Sequence, residues 1–144
     1  MQALVLAGGE GTRLRPLTHT TPKPVMPLAG RPFLSFMLDW AHSHGVEEVI
    51  LSCGFLSDAV KRVLGDIYDG MRLRYVVEDE PLGTAGPVRL AYDEGILEER
   101  LLVLNGDVLT DIDLTAQVEQ HERTGASATL ALYPVDDTSS YGVV

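Results

Sequence analysis

Residues Leu4–Pro27 read LVLAGGEGTRLRPLTHTTPKPVMP. The run Ala3-Leu4-Val5-Leu6-Ala7 is apolar throughout, the pattern of a buried strand in a parallel sheet. It breaks at Gly8-Gly9, and Gly11-Thr12-Arg13 follows. Glycines at a strand end leave backbone N–H groups with no side chain in front of them, which lets main chain approach a phosphate. Arg13 and Arg15 come next, and Lys23 stands between Pro22 and Pro24. Bare amides flanked by cations point to a nucleoside triphosphate.

Outward from this loop the chain alternates between two periodicities. Leu28-Ala29-Gly30-Arg31 turns, and Pro32 is placed to open a helix in its first turn. Phe33, Phe36, Met37 and Trp40 recur at helical spacing, and Gly45 closes that helix. Val46–Cys53 reads as a second strand, Ser57 to Leu64 as a short helix, and Asp69-Gly70 as a turn into a third strand over Met71–Val77. Thr84 is the expected N-cap of a helix to about Tyr92 that tolerates Pro87 in its first turn. Leu101-Leu102-Val103-Leu104 reads as a fourth buried strand, stopping at Asn105-Gly106-Asp107. Asp113 caps a helix through Arg123, Gly125 ends it, and Ala128–Tyr133 reads as a fifth strand. Tyr141-Gly142-Val143-Val144 has the pattern of a strand just beginning.

Strands alternating with helices predict an α/β, Rossmann-like sheet, mostly parallel, with helices on both faces. Such sheets bind ligands outside the carboxyl ends of their strands. The glycine loop, Glu78 and Asp107 all fall at such ends. The chain's 144 residues suffice for a single domain with a core of its own.

Charge narrows the class of ligand. The formal charge of −10 argues against nucleic acid as a partner. Residues 1–31 nevertheless carry a net +3 and the remainder −13, so a small basic island sits in an acidic protein. That suits a small polyanion in a cleft. No apolar run approaches a membrane span and no basic leader opens the chain, so no membrane partner is expected. Cys53 is the single cysteine, which leaves no intrachain disulfide and makes the cytoplasm the expected compartment.

Two common phosphate loops are excluded by spacing. Gly9-Glu10-Gly11-Thr12-Arg13-Leu14 places Leu14 where a dinucleotide fingerprint needs its third glycine, and no Gly-Lys-Ser/Thr follows as in a P-loop. The run Leu6-Ala7-Gly8-Gly9-x-Gly11-Thr12-Arg13-Leu14-x-Pro16-Leu17-Thr18 with Pro22-Lys23-Pro24 instead resembles the signature of the sugar-phosphate nucleotidyltransferases. Glu78-x-Glu80-Pro81-Leu82-Gly83-Thr84-Ala85-Gly86, Asn105-Gly106-Asp107 and Tyr141-Gly142-Val143 match in the same order. The Glu-Pro-Leu-Gly-Thr-Ala-Gly run is most similar to mannose-1-phosphate guanylyltransferases.

The resemblance implies nucleotidyl transfer from a nucleoside triphosphate to a sugar 1-phosphate, with Mg²⁺ as cofactor. It implies nucleotide binding by Leu6, Ala7, Gly8, Gly9, Gly11, Thr12, Glu78, Gly83 and Thr84. Arg13 and Lys23 become the catalytic cations, Asp107 the metal ligand, and Asn105 and Gly142 contacts to the sugar phosphate. A carboxylate at Glu78 only accepts hydrogen bonds, and guanine offers paired donors at N1–H and N2–H₂, so GTP is the expected nucleotide. Uridylyl or thymidylyl transfer to glucose 1-phosphate is one alternative, and a non-catalytic nucleotide-binding or assembly subunit of the same fold is the other.

Each residue also has a plainer reading. Glu78 beside Asp79 and Glu80 could face solvent, and Asp107 could merely form a turn. Arg15 is expected in a surface ion pair, Trp40 in the core, and Cys53 as a small buried hydrophobe. His42 and His44, two apart on a helix, point to different faces, and His19 is a loop histidine in water. Relatives continue past the Tyr-Gly-Val-Val run to a strand with a sugar-phosphate lysine and to a further metal-binding aspartate. Residues 1–144 therefore resemble the N-terminal, nucleotide-binding part of one catalytic domain. Alone they are expected to turn over poorly, and the full-length form is expected to be a homo-oligomer.

Overall fold

The computed structural model describes residues 1–54, 56–80 and 82–139. The strand read at Tyr141–Val144, with Gly142 in it, lies outside them. The chain divides into two compact units, Met1–Asp111 and Ile112–Val144.

The first unit is built on β1 (Gln2–Leu6), the strand that carries the opening apolar run. Successive side chains on a strand alternate between faces, so a strand covered on both sides is apolar at every position. Ala3 and Val5 join one buried cluster and Leu4 the other. β1 pairs in parallel with β4 (Glu48–Cys53) and with β7 (Leu101–Asn105), placing Leu4 opposite Ile50 and Val103. β6 (Met71–Val77) lies parallel to β4. β5 (Ile67–Tyr68), which sequence pattern did not reveal, runs antiparallel to β6. Asp69 and Gly70 join them with φ of 46° and 84°, the mirror-image turn that matches strand twist. The sheet order is β5-β6-β4-β1-β7. A separate two-residue ribbon pairs β2 (Pro27–Leu28) with β3 (Arg31–Pro32).

Helices cover both faces of the sheet. On one face, α1 (Phe33–Ser43) and α2 (Ser57–Leu64) bury Leu34, Met37, Leu38, Ala41, Val60 and Leu64 against Val5, Val49, Leu51 and Cys53. On the other, α3 (Gly86–Asp93) buries Ala91 with Leu4, Ile50 and Val76. The buried stripe of α1 shares only Met37 with the one expected. Leu34, Met37, Leu38 and Ala41 follow the 3–4 spacing of a single face and take the core, while Phe33, Phe36 and Trp40 flank it half-buried. Phe36 packs under the Arg31 guanidinium, 4.9 Å from its ring centre.

Several boundaries differ from the sequence reading for local reasons. Pro32 closes the ribbon and stands at the N-cap of α1 rather than inside it. Ala85, not Thr84, precedes α3, and it makes no side-chain cap; Pro87 in the first turn supplies helical φ instead. β7 is only partly buried, with Val103 48% exposed, because it is the sheet edge among the described residues. In the second unit, α4 (Leu114–Thr124) starts as expected, Asp113 accepting from the Ala116 N–H at 3.0 Å, and stops at Gly125 with φ 60°. Ala128–Tyr133 forms no strand: among the described residues it pairs with nothing, and Leu130, Leu132 and Tyr133 are exposed. Strand propensity is only a preference until a neighbouring backbone accepts the hydrogen bonds.

One glycine holds the functional rim together. The Gly106 N–H donates to the Leu6 carbonyl at 2.9 Å, and a Cβ at position 106 would stand 2.7 Å from that oxygen. Gly106→Ala must therefore part β1 from β7. It is expected to lower stability by about 2 kcal/mol or more in urea unfolding. A change below about 0.5 kcal/mol would show that the strand ends are not so tightly joined.

Candidate active site

Parallel pairing sends the carboxyl ends of β1, β4, β6 and β7 to one rim of the sheet. From β1 the chain returns to β4 through α1 on one face, and it reaches β7 after α3 on the other. The crevice between β1 and β7 is thus the point where strand order reverses, the usual ligand position in such sheets.

The glycine loop leaves β1 under three constraints. The Ala7 N–H donates to the Ser52 carbonyl at 2.9 Å, one rung beyond the ladder. At Gly8 a Cβ would lie 2.7 Å from Glu78 Oε1, and at Gly54 one would lie 3.0 Å from the Gly8 carbonyl. Gly11 adopts φ 62°, and Thr18 Oγ1 donates to its carbonyl at 2.9 Å. Beyond it the backbone folds into three short 3₁₀ turns, Thr12–Leu14, Leu17–His19 and Lys23–Val25. Pro22, Pro24 and Val25 are buried, and they anchor the backbone from which the Lys23 side chain emerges.

Lys23 Nζ donates to Asp107 Oδ2 at 2.8 Å, across 84 residues of sequence. The Lys23 hydrogen bond is the largest influence holding the Asp107 carboxyl below its ordinary range, and the charge of Arg13 acts in the same direction. Arg13, Lys23 and Asp107 therefore occupy one electrostatic neighbourhood. Arg15 turns away and pairs with Glu10 at 2.9 Å, as expected.

Glu78 does not simply face solvent. Ser52 Oγ donates to its Oε1 at 2.6 Å, and the Leu82 N–H donates to its Oε2 at 3.1 Å. Its own N–H continues the ladder to the Cys53 carbonyl at 2.8 Å. Cys53 lies buried beneath, its thiol pushed up to about 12 by burial and, secondarily, by the Glu78 charge.

The other named residues take more modest positions. Leu6 and Ala7 send their side chains into the two core clusters, which leaves only their backbone for a ligand. Gly9, Gly83 and Thr84 are exposed in loops on the way into and out of the rim, Thr12 is exposed at the start of the first 3₁₀ turn, and Asn105 is exposed at the end of β7. His42 Nδ1 lies 3.4 Å from the Val46 carbonyl, and the His44 ring packs edge-on to Trp40. Sequence reasoning missed Ser52, Gly54 and the Thr18 strut. The only available signal for Ser52 was a hydroxyl directly after the apolar run Val49-Ile50-Leu51.

Asp107 is a single oxygen donor, and among the described residues no three His, Cys, Asp or Glu side chains gather to hold a metal. That donor set fits a cation which completes its shell with phosphates and water, the habit of Mg²⁺, rather than one caged by protein. No helix among the described residues is long and apolar enough to cross a membrane.

A glycine loop, two cations and a carboxylate at the reversal point of a parallel sheet define a phosphate-handling α/β site. Residues 2–144 match the nucleotidyl transferase family, and the chain belongs to it. It is 37% identical over 144 residues to a D-glycero-α-D-manno-heptose 1-phosphate guanylyltransferase of Aneurinibacillus thermoaerophilus, covering 100% of this chain and 62% of that protein. To a mannose-1-phosphate guanyltransferase of Emericella nidulans it is 39% identical over 149 residues, covering 100% of this chain and 40% of that one. The chain thus spans about two to three fifths of the length of these relatives. The crystal structure of HddC from Yersinia pseudotuberculosis complexed with GMP-PN superposes with a TM-score of 0.72 at 31% identity, over 83% of this chain and 53% of that one.

The ion pair has a readable consequence. The carboxyl of Asp107 is depressed in the folded chain, so the pair contributes above the unfolded carboxylate range, near 3.9, and is lost as pH falls through the lower folded midpoint. Lys23→Gln should raise the Asp107 midpoint toward the ordinary carboxylate range in a carbon-detected NMR titration. An unmoved midpoint would mean that the pair does not persist in solution.

Proposed function

We propose that the site transfers a nucleotidyl group from a nucleoside triphosphate, GTP by preference, to a sugar 1-phosphate, releasing pyrophosphate. The observation that carries this is the convergence of Lys23, Asp107 and Arg13 beside a glycine loop with open space at Gly9. A binding module would need the amides but not this arrangement of charges.

In the reaction a sugar phosphate oxygen attacks the α-phosphorus in line, the bond to the β-phosphate oxygen breaks, and pyrophosphate carries away the electron pair. Charge grows on the departing group and around the α-phosphorus, so cations are needed on both. Arg13, a planar fork of donors, would hold the β- and γ-phosphates bidentately. Lys23 is a point charge on a flexible stem, suited to follow the α-phosphate as its geometry changes. The amides of Gly8–Thr12 would cradle the triphosphate. Asp107 would hold Mg²⁺, which when bound supplies further neutralisation of the phosphate charge. Asn105 would face the sugar phosphate.

GTP is favoured because Glu78 is a carboxylate whose oxygens each keep a lone pair after accepting from Ser52 and Leu82, enough for two neighbouring donors on guanine. The names of the relatives support the same choice, and both specify a manno-configured sugar 1-phosphate. Mannose 1-phosphate is accordingly the proposed acceptor.

The test is pyrophosphate release from the complete gene product, given mannose 1-phosphate with GTP, UTP or dTTP. GTP should be preferred, and Arg13→Ala and Lys23→Ala should each lower kcat by roughly 10²-fold or more. Glu78→Gln should erode the preference for GTP over UTP. A wild-type preference for a pyrimidine nucleotide would remove the guanine reading, and unchanged rates in the two cation variants would remove the catalytic one.

A further inference from the structure

Ser52 is fully buried at the carboxyl end of β4, and a buried hydroxyl is costly unless it has a partner. It has one on each side of the rim. Its carbonyl accepts the Ala7 N–H at the root of the glycine loop, and its hydroxyl donates to Glu78 Oε1 at 2.6 Å. Gly8 leaves the space in which this carboxylate sits, since a Cβ there would occupy it, and Gly54 leaves room for the Gly8 backbone.

The two donors reach different oxygens: Ser52 takes Oε1, and the Leu82 N–H takes Oε2 at 3.1 Å. That distinction matters because the last torsion of a glutamate side chain is soft and roughly two-fold. A carboxylate held at one oxygen can still swing about that contact, whereas one held at both has a fixed plane. Recognition of two adjacent N–H donors needs such a plane, with its two free lone pairs side by side. The Ser52 anchor is also the stiffer of the two, because it lies in a strand paired on both sides, by β1 and β6. Leu82 belongs to a loop.

We infer that Ser52 is a positioning residue for base selection, fixing the plane of the Glu78 carboxylate so that it meets the paired donors of a guanine-type edge. The inference rests on the reading of Glu78 as the base contact. It also ties base selection to the phosphate loop, because the same residue holds Ala7 through its backbone.

The complete gene product is assayed with GTP and with UTP, each with mannose 1-phosphate, as wild type, Ser52→Ala and Glu78→Gln. Ser52→Ala is expected to raise KM for GTP by about tenfold, the effect of losing one hydrogen bond to a charged group, with kcat changed by less than about twofold. The ratio of kcat/KM for GTP over UTP should fall by about the same factor. Both nucleotides meet the same folded fraction, so lost stability alone leaves that ratio unmoved. If Glu78→Gln shifts the ratio and Ser52→Ala does not, Ser52 is only structural, while Glu78 keeps its role. If neither variant shifts it, the base reading fails and this inference with it. A shift in Ser52→Ala without one in Glu78→Gln would also overturn it, because Ser52 would then act by another route.

Discussion

The hydrogen bond from Gly106 to the Leu6 carbonyl is the contact on which the site's geometry depends. It continues the parallel pairing of β1 and β7 one step past the strands, so the glycine loop and Asp107 emerge side by side. Only glycine allows that approach, since any Cβ would press on a carbonyl already engaged. The close approach in turn lets Lys23, on a loop anchored by buried prolines, reach Asp107. A wider gap would leave the same residues present and the charges too far apart to act together.

Stability alone does not explain the Lys23–Asp107 pair. Both side chains are substantially exposed, 34% and 55%, and ion pairs in that setting are worth about 0–1 kcal/mol. The pair is better understood as two charges held ready. Each neutralises the other, and Arg13 adds its field to the same carboxylate. In the proposed reaction an arriving triphosphate would offer Lys23 a denser anion than one carboxylate, and the lysine would change partners by rotating its stem while the proline-anchored backbone stays still. Arg15, bound to Glu10, is outside this exchange.

What was legible in the sequence followed from periodicity and from residues with special backbone chemistry. The continuous apolar run of β1 identified a central strand, and Gly-rich breaks located the rim. Asp113 and Gly125 set the ends of α4 through a cap and a left-handed residue. The misreadings share a cause, which is that pattern does not say what a residue will be packed against. Leu34 and Leu38 displaced the aromatics from the core face of α1, and β7 proved half-exposed because nothing covers its outer edge among the described residues. Ala128–Tyr133 is mostly apolar but finds no partner strand among the described residues. Similarly, Lys23 and Asp107 were each singled out, but their contact across 84 residues is a product of topology alone.

Glu78 raises a physical difficulty that its surroundings address. A nucleoside triphosphate is strongly anionic, and a carboxylate on the same rim repels it; in a chain of net charge −10 that repulsion is not isolated. Distance does not relieve it, since the carboxylate reaches the root of the loop at Gly8. Hydrogen bonding does. The hydroxyl of Ser52 and the N–H of Leu82 point their positive ends at the two oxygens and draw the charge toward the protein. Lys23, Arg13 and the loop amides gather instead around the β1–β7 crevice. One rim thus offers two environments, cationic where phosphate charge would develop and acceptor-rich where a base with paired donors would lie. The missing Cβ of Gly8 lets them meet: it brings Glu78 against the root of the phosphate loop without a side chain between them.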